Sequence, residues 1–188
     1  MIKIGITGSI ASGKTTASKI LSERRGPLFS ADNVVKKIYQ NNKFKKLILK
    51  KFKIRSKLGF QVLLREKILQ NNSSIKKLEK LIHPLVRKEM VKFISFNKNK
   101  KIAFFEIPLL VESKLMSFFD VIILIRAKKK IRAKRFVAKG GQKEIFELLN
   151  KKQIPDSEKN KFCDHQVVNE KNFNILKKRL LDIIKLYV

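Results

Sequence analysis

The residues with the plainest chemical purpose stand near the front of the chain, in Gly8-Ser9-Ile10-Ala11-Ser12-Gly13-Lys14-Thr15. They fill every fixed position of the phosphate-loop pattern G-x-x-x-x-G-K-[ST]. Glycine at 8 and 13 lets the backbone turn and approach closely where a β-carbon would intrude, so that successive N–H groups converge on phosphate oxygens. Lys14 brings a flexible point charge to the β and γ phosphates of a nucleotide. Thr15 offers a hydroxyl to Mg²⁺, and a following helix would add its positive end. A nucleotide is implied, but no particular reaction. A GTP switch is disfavoured, because neither Asn97-Lys98-Asn99-Lys100 nor Asn169-Glu170-Lys171-Asn172 supplies the Asn-Lys-x-Asp segment that reads guanine.

A second chemical group follows in Phe29-Ser30-Ala31-Asp32. Phosphoryl transfer to an alcohol needs a group that orients the hydroxyl and takes its proton. Asp32 has the place for that base, just past an expected strand. The same carboxylate, or Ser30, would equally serve as a cap for the helix running on through Val34, Val35 and Ile38.

These groups need elements to hold them. Short β-branched runs alternate with helix-length patterns, the mark of a parallel sheet covered by helices on both faces. Strands are expected at Lys3 to Thr7, Pro27 to Ser30, Ile102 to Glu106, Val121 to Arg126 and Gln166 to Val168. Helices are expected over 14–24, 32–51, 74–97, 143–152 and 172–187, where apolar residues recur at three and four spacing. The fold class is therefore α/β, a doubly wound five-stranded parallel sheet of the P-loop type, with ligands beyond the carboxyl ends of the strands. One domain is expected over 1–188, its core about 1–38, 100–127 and 162–188. A helical lobe over about 39–99 and a helical lid over about 128–161 complete it, with Gly140-Gly141 as a hinge.

The 188 residues carry 45 Lys+Arg against 15 Asp+Glu, a net charge of +30. Lysine is spread through almost every helical segment and forms no single patch, so a solvated surface explains it better than a nucleic-acid footprint. Nucleic acid is accordingly not expected as a partner. No apolar run approaches a membrane span, and Ile2-Lys3-Ile4-Gly5-Ile6 reads as a strand and not as a leader. The lone Cys163 excludes an internal disulfide and a multi-cysteine metal cage. A cytoplasmic monomer without membrane contact is the expectation.

Several separated segments resemble the dephospho-coenzyme A kinases. They are Gly5 to Thr16, Ser30-Ala31-Asp32, Leu78-Glu79-Lys80-Leu81-Ile82-His83-Pro84-Leu85-Val86-Arg87, Pro108-Leu109-Leu110-Val111-Glu112, Gln153, and Asp164-His165-Gln166-Val167-Val168-Asn169. Their order and spacing hold over nearly the whole chain, and the His-Pro and Pro-Leu-Leu-x-Glu segments are more family-specific than the phosphate loop.

The resemblance implies an ATP- and Mg²⁺-dependent kinase that phosphorylates the ribose 3′-hydroxyl of dephospho-coenzyme A. It implies that Asp32 is the base, that Ala11, Ser12, Gly13, Lys14, Thr15 and Thr16 bind ATP, and that Asn169 lies by the adenine. His83, Arg87 and Pro108 fall on the acceptor side, and Arg135 on the lid would act in catalysis with Lys14. Thr15 and Glu106 fall at the metal.

The chain also departs from the family pattern. Ser30 replaces a usual aspartate, Glu106 replaces a usual aspartate, and Lys139 stands where a second lid arginine is usual. A lysine there cannot fork onto a phosphate as arginine does.

Other residues stay open to two readings. His83 either contacts ligand or is a buried imidazole at a turn between helices. Arg132 and Arg135 either stabilise charge on the transferring group or line a solvated face. Cys163-Asp164-His165 reads as packing, since three adjacent residues rarely converge on one point. Phe173, Leu176, Leu180 and Ile183 read as the packing stripe of a closing helix. Rival functions are another small-molecule or nucleotide P-loop kinase, and an RNA-associated P-loop ATPase.

Overall fold

The structure, a computed structural model, describes residues 1–54, 64 and 72–187. Five strands form the sheet: β1 (Ile2–Thr7), β2 (Leu28–Ser30), β3 (Ile102–Glu106), β4 (Val121–Arg126) and β5 (His165–Val168). Each lies within a residue of its expected bounds. The order is β2-β3-β1-β4-β5, and every pairing is parallel. Parallel strands need crossovers, and the helices that supply them cover the sheet faces, so the central strands are mostly buried and apolar, with polar residues at their ends. Ile4, Ile6, Phe104, Ile123 and Ile125 are fully buried and pack with Ala17, Ile20 and Leu21 of α1 (Lys14–Ser22) and Leu176, Leu180 and Ile184 of the closing helix. Burial of each such side chain contributes roughly 1.5–3 kcal/mol relative to exposure.

The register sets up the functional edge. Ser30, the last residue of β2, is level with Glu106, the last of β3, and Glu106 is level with Ile6 of β1. The carboxyl ends of three strands therefore finish together, and strand order reverses about β1, where ligands of such sheets collect.

Beyond β2 the expected helix over 32–51 is two helices, α2 (Ala31–Gln40) and α3 (Asn42–Lys51). Asn41 separates them. Its backbone is extended, and its Oδ1 accepts from Lys43 N at 2.9 Å and Phe44 N at 3.1 Å, an N-cap that satisfies amides the first helix cannot. α4 (Asn72–Phe96) runs unbroken through Pro84. Proline removes one helical hydrogen bond but here does not end the helix.

Contacts divide the chain into two compact units, one of residues 1–31 and 96–188, the other of residues 32–95. The second has its own core of Phe44, Ile48, Phe52, Leu64, Leu78 and Ile82, with Val35, Tyr39 and Leu81 packed on it. The lysine-rich run 44–52 is thus amphipathic: Phe44, Ile48 and Phe52 point inward at helical spacing, and the lysines between them face water.

In the first unit, α5 (Lys129–Ala138), α6 (Lys143–Lys152) and the short α7 (Asp156–Lys159) follow β4. Gly140, at φ +83, closes α5: its N–H donates to Val137 O at 2.9 Å and the Gly141 N–H to Phe136 O at 3.1 Å. That is the Schellman pattern, for which a glycine in the left-handed region is the usual residue. α8 (Phe173–Ile184) starts at Asn172, whose Oδ1 accepts from Ile175 N at 3.0 Å. Its buried stripe is Leu176, Leu180 and Ile184; Phe173, expected in that stripe, is exposed at the first helical turn.

Candidate active site

The loop between β1 and α1 has the geometry its residue types require. Gly8 sits at φ +145 and Gly13 at φ +100, conformations that L side chains rarely adopt. Space is short as well. A β-carbon on Gly8 would stand 2.1 Å from Ile125 O, and one on Gly13 would stand 2.2 Å from Asn169 Nδ2. Gly13 is the N-cap of α1, so the loop delivers its amides to the positive end of that helix. Between the glycines, Ala11 is also left-handed at φ 58, a conformation worth roughly 1–2 kcal/mol of strain in a residue with a β-carbon.

Lys14 is the first residue of α1, only 8% exposed, and its Nζ donates to Ser9 O at 2.9 Å. Thr15 Oγ1 donates to Glu106 Oε1 at 2.5 Å, and Glu106 is buried at the tip of β3. The structure thus brings Thr15 and Glu106 together across 91 residues of chain. Thr16 is exposed beside them in sequence, and the Ser12 hydroxyl is fully buried with no hydrogen-bond partner among the described residues.

Asn169, just past β5, bonds back onto the loop: its Nδ2 donates to Ser12 O at 2.8 Å. Its main-chain N–H extends the β4–β5 ladder by donating to Arg126 O. The amide of Asn169 is thus what fills the space a side chain on Gly13 would need. Thr7 Oγ1 donates to Pro108 O at 3.2 Å, which fixes the segment leaving β3 against the end of β1.

The region expected as a lid is attached to this loop by side chains. Ile10 N donates to Gln153 Oε1 at 2.7 Å, Ser9 Oγ donates to Asp156 Oδ1 at 2.6 Å, and Arg132 Nη1 donates to Ile10 O at 3.3 Å. Arg132 is 7% exposed. Its Nη1 also donates to Asn150 Oδ1 at 2.8 Å and its Nε to Ala127 O at 3.0 Å, with the guanidinium over the Phe146 ring at 5.7 Å. Burial pulls its pKa below the ordinary guanidinium value, against the opposing charges of Asp156 and Glu147.

The solvated-face reading of Arg132 therefore fails, because its donors are taken up inside the protein. Arg135, one turn further along α5, is half-buried, and its Nη1 is enclosed without a hydrogen-bond partner among the described residues.

Behind these contacts Glu112, the acid of the Pro-Leu-Leu-Val-Glu segment, accepts from Ile154 N at 3.1 Å and meets Lys159 Nζ at 2.7 Å. Lys159 is fully buried.

Of the residues expected on the acceptor side, Asp32, His83 and Arg87 lie in the second unit and Pro108 in the first. Asp32 is exposed in the first turn of α2, inside the helix and not at its N-cap. A carboxylate there complements the helix dipole, but α2 begins at Ala31, so the cap position is Ser30 and Asp32 stands two residues past it, too far in for the capping role considered above. His83 and Arg87 are exposed on α4. The reading of His83 as a buried imidazole at a turn is overturned, because the helix continues through Pro84 and leaves the ring in solvent.

Cys163, Asp164 and His165 diverge. Cys163 Sγ donates to Lys159 O at 3.1 Å, Asp164 Oδ2 accepts from Ile122 N at 2.7 Å, and His165 Nε2 meets the Tyr187 hydroxyl at 2.6 Å. Burial pushes the Cys163 thiol up to about 11, which removes it as a nucleophile.

Gln153, Asp156, Asn150 and Glu112 are the site-organising residues that residue chemistry alone did not single out. Gln153 and Glu112 stood within the resembling segments. Nothing local marks Asn150 or Asp156.

Among the described residues no cluster of three or more His, Cys, Asp or Glu could hold a metal ion, and no helix is long and apolar enough to cross a membrane. Mg²⁺ does not need such a cluster. It is commonly held by one or two protein oxygens with water and phosphate completing its shell, and the paired oxygens of Thr15 and Glu106 are that kind of donor set.

Comparison with known proteins agrees along the chain. A family model described as dephospho-CoA kinase matches residues 2–174. The dephospho-CoA kinase of Rickettsia conorii is 31% identical over 192 residues, covering 98% of this chain and 97% of its own. Among solved structures, a Thermus thermophilus protein superposes with a TM-score of 0.81 at 26% identity, covering 100% of this chain and 98% of that one. The dephospho-CoA kinase of Campylobacter jejuni gives 0.69 at 25% identity, over 97% and 95%. A phosphate loop of this geometry, on a sheet of this order, in a chain matched from residue 2 to residue 174, belongs to the dephospho-CoA kinase family.

Proposed function

We propose that the protein transfers the γ-phosphate of ATP to the ribose 3′-hydroxyl of dephospho-coenzyme A, giving coenzyme A and ADP. The observation that carries this reading is the family match over residues 2–174. Gly8, Ala11, Ser12, Gly13, Lys14, Thr15 and Thr16 hold the triphosphate, and Asn169 borders the nucleotide. Asp32 orients the hydroxyl and takes its proton as the oxygen–phosphorus bond forms and the bond to the β-phosphate oxygen breaks. Lys14 and Arg135 stabilise the charge that develops, and the enclosed, unpartnered Nη1 of Arg135 supports that assignment. His83, Arg87 and Pro108 serve the acceptor, with 39–99 as its lobe and 128–161 as the lid.

Mg²⁺ would be held at Thr15 and Glu106, where it would neutralise charge on the phosphates. The hydroxyl–carboxylate contact at 2.5 Å is what suits those two residues to it. We take the enzyme to act as a cytoplasmic monomer.

Purified protein tests the reaction. ADP release that depends on added dephospho-coenzyme A supports it, and hydrolysis stimulated by RNA instead would overturn it. The base has its own test: Asp32→Ala should lower turnover by about 10²–10⁴-fold while leaving ATP affinity largely intact. Equal loss of both would remove Asp32 from that role.

A further inference from the structure

The outer turn of the phosphate loop closes on its own bond from Ser12 N to Ser9 O at 3.2 Å and is held further from outside the loop. Ala11 is left-handed at φ 58 without being glycine, and such a residue persists only where its surroundings over-determine it. The preceding residue, Ile10, is held at both main-chain groups by the lid segment. Gln153 Oε1 takes its N–H at 2.7 Å and Arg132 donates to its C=O at 3.3 Å. Arg132 is in turn fixed by Asn150 Oδ1 at 2.8 Å, by Ala127 O at 3.0 Å and by the Phe146 ring. Three of its five N–H donors are committed by these contacts, and the residue is 7% exposed. An arginine so occupied is poorly placed to fork onto a transferring phosphoryl group.

We propose that Arg132 is a positioning residue, which acts through Ile10 to hold the phosphate loop in its nucleotide-binding conformation, while Arg135 on the same helix remains for the charge on phosphate. The inference deepens the kinase reading and rests on it only for the identity of the nucleotide. It requires that loss of Arg132 weaken nucleotide binding more than it slows the chemistry. A neutral side chain lacking the fork leaves Ile10 O without its charged donor and frees the strained turn to relax.

The experiment measures ADP affinity by calorimetry together with steady-state kinetics, on Arg132→Gln and on Asn150→Ala, which loosens the guanidinium without removing its charge. Arg132→Gln should raise the ADP dissociation constant and the KM for ATP about tenfold, the effect of losing one charge-assisted hydrogen bond. Saturating turnover and the acceptor KM should stay within about threefold, as for a residue that acts on ground and transition states alike. Asn150→Ala should show the same pattern more weakly and be non-additive with Arg132→Gln, since both act through one contact. Arg132→Lys should recover part of the affinity.

Unchanged ADP affinity with a large fall in turnover would make Arg132 a catalytic group and overturn the proposal. A lowered thermal midpoint with ADP affinity unchanged would reduce it to a structural brace, which also overturns it. Because ADP binding is read without the acceptor, a wild-type protein that binds ADP but fails to phosphorylate dephospho-coenzyme A would sink the reaction assignment and leave this one standing.

Discussion

Two lysine–glutamate pairs meet at nearly the same separation, Lys159 with Glu112 at 2.7 Å and Lys92 with Glu89 at 2.8 Å, in opposite surroundings. Lys159 is fully enclosed beside the phosphate-loop machinery. Lys92 lies on the outer face of α4 with its side chain 61% exposed. In the first pair Lys159 is shut off from water while Glu112 keeps 16% of its side chain exposed, and one carboxylate oxygen serves both Lys159 and the N–H of Ile154, the neighbour of Gln153. Water competes for the second at every moment. The contrast bears on the net charge of +30. Most of the described lysines are exposed like Lys92, whereas the charge that shapes the site sits on a few buried groups: Lys14, Arg132, Lys159 and Glu106.

Breaking the buried pair should give the largest stability effect. Removing one partner strands the other ion in a dry site, and such losses run to about 3–5 kcal/mol. Glu112→Ala should cost about that much, read by urea unfolding. It should also weaken nucleotide binding, because Ile154 N loses its acceptor next to Gln153. Lys159→Met together with Glu112→Leu should recover most of the stability, since apolar replacement of both ions removes the stranded charge. A stability loss for Glu112→Ala as small as a surface pair's would erase the distinction.

The same comparison explains what could be read in the sequence. All five strands and the helix 143–152 were legible because burial forces β-branched runs and regular spacing on them, and the phosphate loop was legible because its chemistry is local. The break at Asn41 was less so. The apolar and lysine pattern of 32–51 continues in phase across it, although an asparagine followed by an apolar run is itself an N-cap signal. Pro84 lies inside the helix expected over 74–97 and the structure carries it there; only the reading of His83 at a turn between helices failed, since a long helix with a packed face can hold a single proline. The roles of Arg132, Asn150 and Asp156 were out of reach. Arg132 meets Ile10 across 122 residues and Asp156 meets Ser9 across 147, and no local period encodes such contacts.

A second effect, smaller and confined to alkaline pH, sharpens the buried side of the comparison. The Cys163 thiol is raised from 9.0 to about 11, first by burial, then by Asp164, with Lys159 opposing. A raised folded pKa means that the folded state disfavours the thiolate. Its contribution is therefore fully kept below about pH 9 and is lost as pH rises through about 11. Stability should fall across that window in the native protein and fall less in Cys163→Ser, as followed by denaturant midpoints. Labelling of the folded protein by a thiolate-selective reagent should stay slow at pH 8 and accelerate on unfolding. Rapid labelling at pH 8 without unfolding would show that the folded state does not disfavour the thiolate.

Lys92→Ala should do least. The pair it breaks spans one helical turn on a surface, where such contacts are worth about 0.2–0.5 kcal/mol, and alanine returns part of that through its higher helix propensity. The unfolding midpoint should shift by less than about 0.5 kcal/mol equivalent. The small shift should shrink further at high salt, since exposed charges are screened within about 10 Å at 0.1 M. Glu112→Ala should keep its full cost in the same salt series, because ions from solvent cannot reach Lys159. The salt slopes of the two variants therefore separate buried from exposed charge even if their magnitudes at one ionic strength happen to converge. Parallel slopes would mean that Lys159 is solvated in solution and that its enclosure contributes nothing to the site.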